Sequence, residues 1–266
     1  KLKENYRVPV VATIHEDSGW LQEEIAMNNI RIISAWQNAD VLIRVNKQEL
    51  PLLKKFNDNV FFVPNGFPKQ FKPLDRQECR SKLNIPHEKR VIFSLGDLIE
   101  RKGFNFLIDA MDKIHDKRDD VICFIGGKGP EEKNLIRQIH EKKMEDSIKI
   151  LGFIPDTMVP LWMNSADVFV LPSLQESFGI VQIEALACGK PVISAKNVGS
   201  IEVITSEEVG ILCEPGNAED LADAIIRGLT RDRDTTKIIE YSQQFQWDTI
   251  VQHLICVYKT VLKKCD

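Results

Sequence analysis

Val168-Phe169-Val170-Leu171 is an unbroken apolar run, followed by a turn, a helical pattern over residues 180–187 and a second short run, Val192-Ile193-Ser194. A strand with one face in water alternates apolar and polar side chains, whereas one that is apolar throughout has to be covered on both faces. The same pattern repeats outward. Strand-like runs at 91–95, 121–125 and 148–151 precede it, and another at 211–213 follows. Helix-like segments at 104–114, 131–141, 157–164, 200–204 and 218–229 fill the intervals. Six strands with crossover helices predict a doubly wound α/β unit with a parallel sheet.

Three further strand-like runs, 8–14, 41–45 and 60–63, lie upstream, with a helix-like stretch at 47–55. Between them and the regular alternation, residues 64–90 carry Pro64, Pro68, Pro73 and Pro86 and read as a connector between two domains. Two helical patterns, 235–245 and 249–264, close the chain. The expected division is 1–67, 68–248 and 249–266.

The 266 residues are 43% hydrophobic and 28% charged, the balance of a folded globular protein. A net charge of -4 supplies no global field for nucleic acid, which argues against that class of partner. Cys79, Cys123, Cys188, Cys213, Cys256 and Cys265 are scattered without a CxxC pair, which reads as a reducing, cytoplasmic setting and no metal site. No apolar run approaches the roughly 20 residues that span a bilayer. The charged start, Lys1 to Arg7, is no signal peptide. It also begins without Met, so a piece of a longer chain is expected.

In an open parallel sheet, ligands bind beyond the carboxyl ends of the strands. The loop from Gly96 to Gly103 follows one strand and opens a helix, where free amides favour an anion and Lys102 adds a point charge. Taken alone, a solvated basic turn fits that loop equally well. Gly126-Gly127-Lys128-Gly129-Pro130 is not a dinucleotide fingerprint, because Pro130-Glu131-Glu132 stands where the third glycine belongs. It reads as a turn whose backbone approaches a ligand or a neighbouring loop.

The most informative loop is Glu176-Ser177-Phe178-Gly179-Ile180-Val181-Gln182-Ile183-Glu184. With a helix starting near Gly179, the amides of residues 178–181 can meet a phosphate. Glu184 interrupts an apolar helix beside that position and can accept the hydroxyls of a ribose. Glu176, before the helix, can accept those of a sugar. A solvated helix face is the ordinary reading of two acids eight apart, but a carboxylate among apolar neighbours needs a partner. His15 follows the first strand and leads into a turn at Gly19; a structural histidine is the plain alternative to a catalytic one.

Together these segments resemble the fourth family of glycosyltransferases, the large retaining group with the GT-B fold. Glu176 to Glu184 matches its E-x7-E motif including the central Phe-Gly, and Arg101-Lys102-Gly103 is similar to its phosphate loop. Asn65-Gly66 after Pro64 resembles its interdomain Pro-Asn-Gly, and Gly152-Phe153-Ile154 its base-contacting loop. Ser165-Ala166-Asp167 through Pro172-Ser173 and Gly189-Lys190-Pro191-Val192 match as well. The resemblance implies a complete C-terminal Rossmann-like domain, part of an N-terminal acceptor-side domain, and a last helix crossing back to the latter. It implies sugar transfer from a UDP- or GDP-linked donor to a glycan, lipid or small-molecule acceptor, with no metal and no cofactor besides the donor. By resemblance, His15, Lys102 and Glu176 are catalytic. Gly96, Arg101, Lys102, Phe153, Ile154, Glu176, Phe178, Gly179, Ile180 and Glu184 hold the donor. Asp97 departs from the pattern, standing where the family often has Arg. The competing readings are a sugar-nucleotide epimerase of the same architecture and a donor-binding module that is inactive without the rest of its acceptor domain. Peripheral contact with the inner face of a membrane would belong to that domain.

Overall fold

The computed structural model describes residues 8–16 and 18–262. The first part holds β1 (Val11–Ile14), α1 (Ser18–Ala26), α2 (Ile30–Asn38), β2 (Val41–Arg44), α3 (Leu50–Leu53) and β3 (Val60–Phe62). Its strands form a parallel sheet in the order β1-β2-β3. Then follow α4 (Arg76–Leu83), β4 (Arg90–Leu95), a 3-10 turn at Glu100–Lys102, α5 (Phe104–His115), β5 (Val121–Gly126), α6 (Glu132–Glu141), β6 (Ile148–Gly152) and α7 (Val159–Ser165). The chain continues through β7 (Val168–Leu171), α8 (Ile180–Ala187), β8 (Val192–Ala195), α9 (Val198–Val203) and β9 (Gly210–Cys213). It closes with α10 (Ala218–Thr230), α11 (Thr235–Ser242), a 3-10 turn at Gln243–Phe245 and α12 (Trp247–Leu262).

The second sheet has six parallel strands in the order β6-β5-β4-β7-β8-β9. Successive residues of one strand serve opposite faces, as the continuous apolar runs require. Val168 and Val170 join the core layer of α5, α6 and α10, while Phe169 and Leu171 join that of α7, α8 and α11. Helix α5 places Phe104, Leu107, Ile108, Met111 and Ile114 on one stripe and buries all five.

Two expectations are corrected, and the connector at 64–90 is itself structured. It contains α4 and buries Phe67, Phe71 and Ile85. Arg80, fully buried, donates to the Ser165 carbonyl at 2.9 Å and to Asp167 at 2.8 Å, fastening α4 to the end of α7. The helix-like 47–55 contracts to the single turn α3, because Pro51 sits in its first turn and lacks an N–H. Gly19, read as a turn, lies inside α1.

Helices α1 and α2, which the sequence reading passed over, change the view of the three-stranded sheet. Leu21 and Trp36 pack with Ile14, Leu42, Leu53 and Val60 on one face. Ile250, Val257 and Val261 of α12 pack with Val41, Ile43 and Val63 on the other. Both faces of the three-stranded sheet are therefore covered. Exposed apolar groups lie on the outside of α12, at Val251, Ile255, Tyr258 and Leu262, and also at Val8, Met27 and Ile30.

The chain passes between the sheets at two adjacent places. The Phe67 amide donates to the Phe245 carbonyl at 3.0 Å. The Trp247 ring lies flat against Gly66, where an added Cβ would stand 2.7 Å from the ring.

Candidate active site

Strands β4 and β7 are neighbours, yet β5 and β6 extend the sheet to one side and β8 and β9 to the other. The loops after β4 and β7 thus part at the sheet's switch point and leave a crevice. A cavity of about 390 Å³ occupies it, lined by Gly96, Asp97, Arg101 and Lys102 after β4 and by residues 176–181 after β7. His15 and Glu16 after β1, with Asn65 after β3, close it from the other sheet. A larger cavity of about 540 Å³, with Asp40, Asn57 and Asp58 in its lining, opens at the amino ends of β2 and β3, away from these loops.

The loops are held to one another by backbone. Leu174 N donates to Arg101 O at 2.8 Å, and a Cβ on Gly103 (φ +67°) would overlap the Pro172 carbonyl. The glycine turn at 126–129 serves the same framework. Gly127 and Gly129 press against the carbonyls of Gly96 and Leu98, so its close approach is to a neighbouring loop.

Around Glu176 to Gly179, every carbonyl is already occupied. Glu176 O accepts from Gly199 N at 3.0 Å and Ser177 O from Asn46 Nδ2 at 3.3 Å. Phe178 O accepts from Gln182 Nε2 at 3.0 Å and Gly179 O from Gln182 N at 2.9 Å. In a trans peptide the N–H points opposite to the C=O. The amides of residues 177–180 accordingly face away from these donors, and among the described residues none donates a hydrogen bond. The Phe178 ring is buried edge-on against Phe245, 5.9 Å between centroids, and anchors the loop in the core. An alanine at Gly199 would bring its Cβ to 2.6 Å from Phe178 N and 2.9 Å from Glu176 O. Gly199→Ala is expected to lower stability by about 1–3 kcal/mol through overpacking and to weaken binding of the crevice's ligand. Denaturant unfolding and calorimetry check it; ligand binding at full strength would show that the loop's placement is immaterial.

Lys102 Nζ and Glu176 Oε2 form an ion pair at 2.5 Å, each side chain 13% exposed. At that depth the pair is screened far less than a surface bridge. The two groups expected to meet an anion and a polyol thus lie against each other. Asp97, exposed on the rim, adds an acid beside them.

The structure brings His15, Gly96, Arg101, Lys102, Glu176, Phe178, Gly179 and Ile180 to one cavity. It does not place Phe153, Ile154 or Glu184 in that lining. Phe153 is exposed beyond β6, and Ile154 is buried against Gly126. Glu184 lies a turn and more along α8, where burial, with a smaller contribution from Asp156, pushes its carboxyl up to about 7.

Sequence reading missed the residues that join the two sheets here. Lys47 reaches Glu202 through both its backbone amide and its ammonium group, each at 2.9 Å. Ser177 Oγ donates to Glu16 O at 2.7 Å. Arg44, the last residue of β2, and Asn46 and Glu49 just after it are buried. The available signal was a charged residue ending an apolar strand, with two more polar or charged side chains within five residues of it.

Residues 75–245, from the N-cap of α4 to the last 3-10 turn, match the family described as glycosyl transferases group 1. The chain belongs to that family. Phosphatidyl-myo-inositol mannosyltransferase of Mycobacterium leprae is 32% identical over 264 residues, covering 95% of this chain and 67% of that protein. The 2-deoxystreptamine N-acetyl-D-glucosaminyltransferase of Niallia circulans is 31% identical over 183 residues, and there the match spans 69% of this chain and 46% of that protein. Among solved structures, sucrose-phosphate synthase of Thermosynechococcus elongatus superposes with a TM-score of 0.87 at 26% identity over 99% of this chain and 70% of that one. HepE of Anabaena, solved with UDP-glucose, gives 0.81 at 26% identity, over 98% and 74%. The group 1 chain therefore has the Rossmann-like, parallel-sheet GT-B architecture of its structural relatives and spans from about half to three quarters of the relatives' lengths. No helix among its described residues is long and apolar enough to cross a membrane.

Proposed function

We propose that this group 1 chain carries the donor side of a glycosyltransferase that moves a sugar from a nucleotide diphosphate sugar to an acceptor hydroxyl, with retention at the anomeric carbon. The observation that carries the reading is the convergence at the switch-point crevice of Lys102, Glu176 and residues 177–180, whose amides donate no hydrogen bond among the described residues. An anionic leaving group and a polyol are what such a set can hold. HepE, similar in fold and sequence, binds UDP-glucose, which supports a sugar nucleotide as the ligand.

In the proposed step the bond between the anomeric carbon and the β-phosphate oxygen breaks. The acceptor oxygen forms the new bond on the same face of the sugar, and its proton passes to the departing diphosphate. Lys102 and the amides at the start of α8 stabilise the charge that grows on that diphosphate, and Glu176 orients the sugar hydroxyls. Glu184, further along α8, takes the ribose, with the backbone around Phe153 and Ile154 beside the base. His15 faces the transferred sugar from the other sheet. In this reading the leaving group needs no metal. The one Asp-x-Asp, Asp232-Arg233-Asp234, lies outside the crevice lining, where Asp234 caps α11.

Thermal shift against UDP-, GDP- and ADP-linked sugars tests the donor site. Stabilisation by at least one nucleotide sugar is expected, and none by any of them would overturn the reading. Turnover is expected to persist in EDTA; loss that Mn2+ restores would remove the metal-free part. Conversion of the sugar nucleotide into its epimer, without acceptor, would identify an epimerase instead.

A further inference from the structure

A buried polar chain connects the two walls of the crevice. Arg44, at the end of β2, donates from Nη1 to Ile14 O at 2.8 Å and from Nε to Glu49 Oε2 at 2.6 Å. The same Glu49 oxygen accepts from Asn46 Nδ2 at 2.9 Å, and Glu49 N donates back to Asn46 Oδ1 at 3.2 Å. The remaining Asn46 amide proton goes to Ser177 O at 3.3 Å. One end of this chain is the carbonyl of the peptide whose N–H belongs to His15. The other is the carbonyl of the peptide whose N–H belongs to Phe178. Both His15 and Phe178 line the crevice.

The arrangement is a poor stabilising device. Arg44 and Asn46 are fully buried and Glu49 nearly so, and Glu49 Oε1 has no hydrogen-bond partner among the described residues. Burying two charges and leaving a lone pair unsatisfied costs free energy that an apolar pair of similar volume avoids. It is a good positioning device, because each link is a directional hydrogen bond and those among Ile14, Arg44, Asn46 and Glu49 are buried in a packed setting. Holding a carbonyl fixes the plane of its peptide and so the direction of the opposite N–H.

We propose that Asn46, held by Glu49 and Arg44, is a positioning residue of the donor site. From the first sheet it sets the direction of the Phe178 amide and the spacing between that amide and the His15 wall. The proposal rests on the donor-site reading above. It adds that the geometry of the E-x7-E loop is imposed from outside its own sheet.

The test uses the chain as given, with UDP-glucose, UDP-N-acetylglucosamine and GDP-mannose as probes, following slow donor hydrolysis with water as acceptor, together with calorimetry and thermal unfolding. For the probe the unaltered chain binds tightest, Asn46→Ala is expected to lower kcat of hydrolysis about tenfold, the equivalent of one charged hydrogen bond. The Kd of the matching nucleoside diphosphate should change by less than roughly threefold, since the ribose and base contacts lie elsewhere. The double variant Arg44→Met/Glu49→Leu should unfold no earlier than the unaltered chain and show the same loss of kcat; it carries the test if Asn46→Ala fails to fold. A kcat within about twofold of the unaltered chain, or a loss of kcat, affinity and melting temperature in step, would overturn the positioning role. Failure of the unaltered chain to bind any probe would instead overturn the donor site itself, and the positioning role with it.

Discussion

Lys102→Ala is expected to lower kcat/KM for donor turnover by about 10²–10³-fold, the usual consequence of removing one preorganised donor from a developing anion. Lys102 sits on the last residue of the 3-10 turn after β4, and the welding of that loop to residues 172–174 leaves its ammonium little freedom. Its ion pair with Glu176 complicates the result, since alanine also leaves a carboxylate only 13% exposed without its partner. A double-mutant cycle separates the two effects. If Lys102 merely neutralises Glu176, then Lys102→Ala/Glu176→Gln recovers most of the activity lost by Lys102→Ala alone. If Lys102 meets the diphosphate, the double variant is no better than the single. Steady-state kinetics on the three proteins decides, and recovery in the double variant would refute the diphosphate role.

Glu184 yields the second large effect, with opposite signs for binding and stability. Its carboxyl is pushed up to about 7 by burial, with Asp156 contributing. A carboxylate that accepts two ribose hydroxyls is favoured in its ionised form, so the bound state lowers that value again. Donor affinity should therefore be highest above pH 7 and fall as pH drops through it. Glu184→Ala should weaken nucleotide binding by about 1–3 kcal/mol at about pH 8 and flatten the pH dependence. Stability runs the other way. The ionised form is disfavoured in the fold, so this penalty is absent below the ordinary glutamate value and grows as pH rises through 7. Glu184→Gln should consequently melt higher than the unaltered chain at about pH 8 and lose that advantage as the solution is acidified. Calorimetric titration and melting curves across that window test both. Unchanged nucleotide affinity in Glu184→Ala would remove the ribose role.

The six-stranded sheet was legible because its signal is local and redundant: strands apolar at every position, separated by segments of helical period. The crevice followed from topology, since the loops after β4 and β7 lie at the switch point whatever their side chains. Helices α1 and α2 escaped notice because their faces are mixed: Ile30 is exposed while Leu21 and Trp36 are buried. Helix α4 was hidden by the prolines around it, although Asp75 provides an ordinary N-cap through Glu78 N. Arg44, Asn46 and Glu49 were illegible for another reason. Their partners, Ile14 and Ser177, are reached only through tertiary folding, and nothing in three polar side chains around a strand's end says which distant carbonyl they will hold. The Lys102–Glu176 pair has the same origin: both residues were singled out, but not that they face each other.

The packing of α12 against β2 and β3 has a consequence for how the molecule is made. Val41, Ile43 and Val63 leave the ribosome long before the groups that cover them, Ile250, Val257 and Val261. At synthesis rates of about 5–20 residues per second, the interval is on the order of ten seconds or more. The six-stranded sheet has all its strands and crossovers emerging in between and can close in the meantime. The first-made of these two sheets is then the last completed, with one apolar face open to chaperones or to another nascent chain until α12 arrives, and a translational stall shortly before residue 247 would hold it in that state.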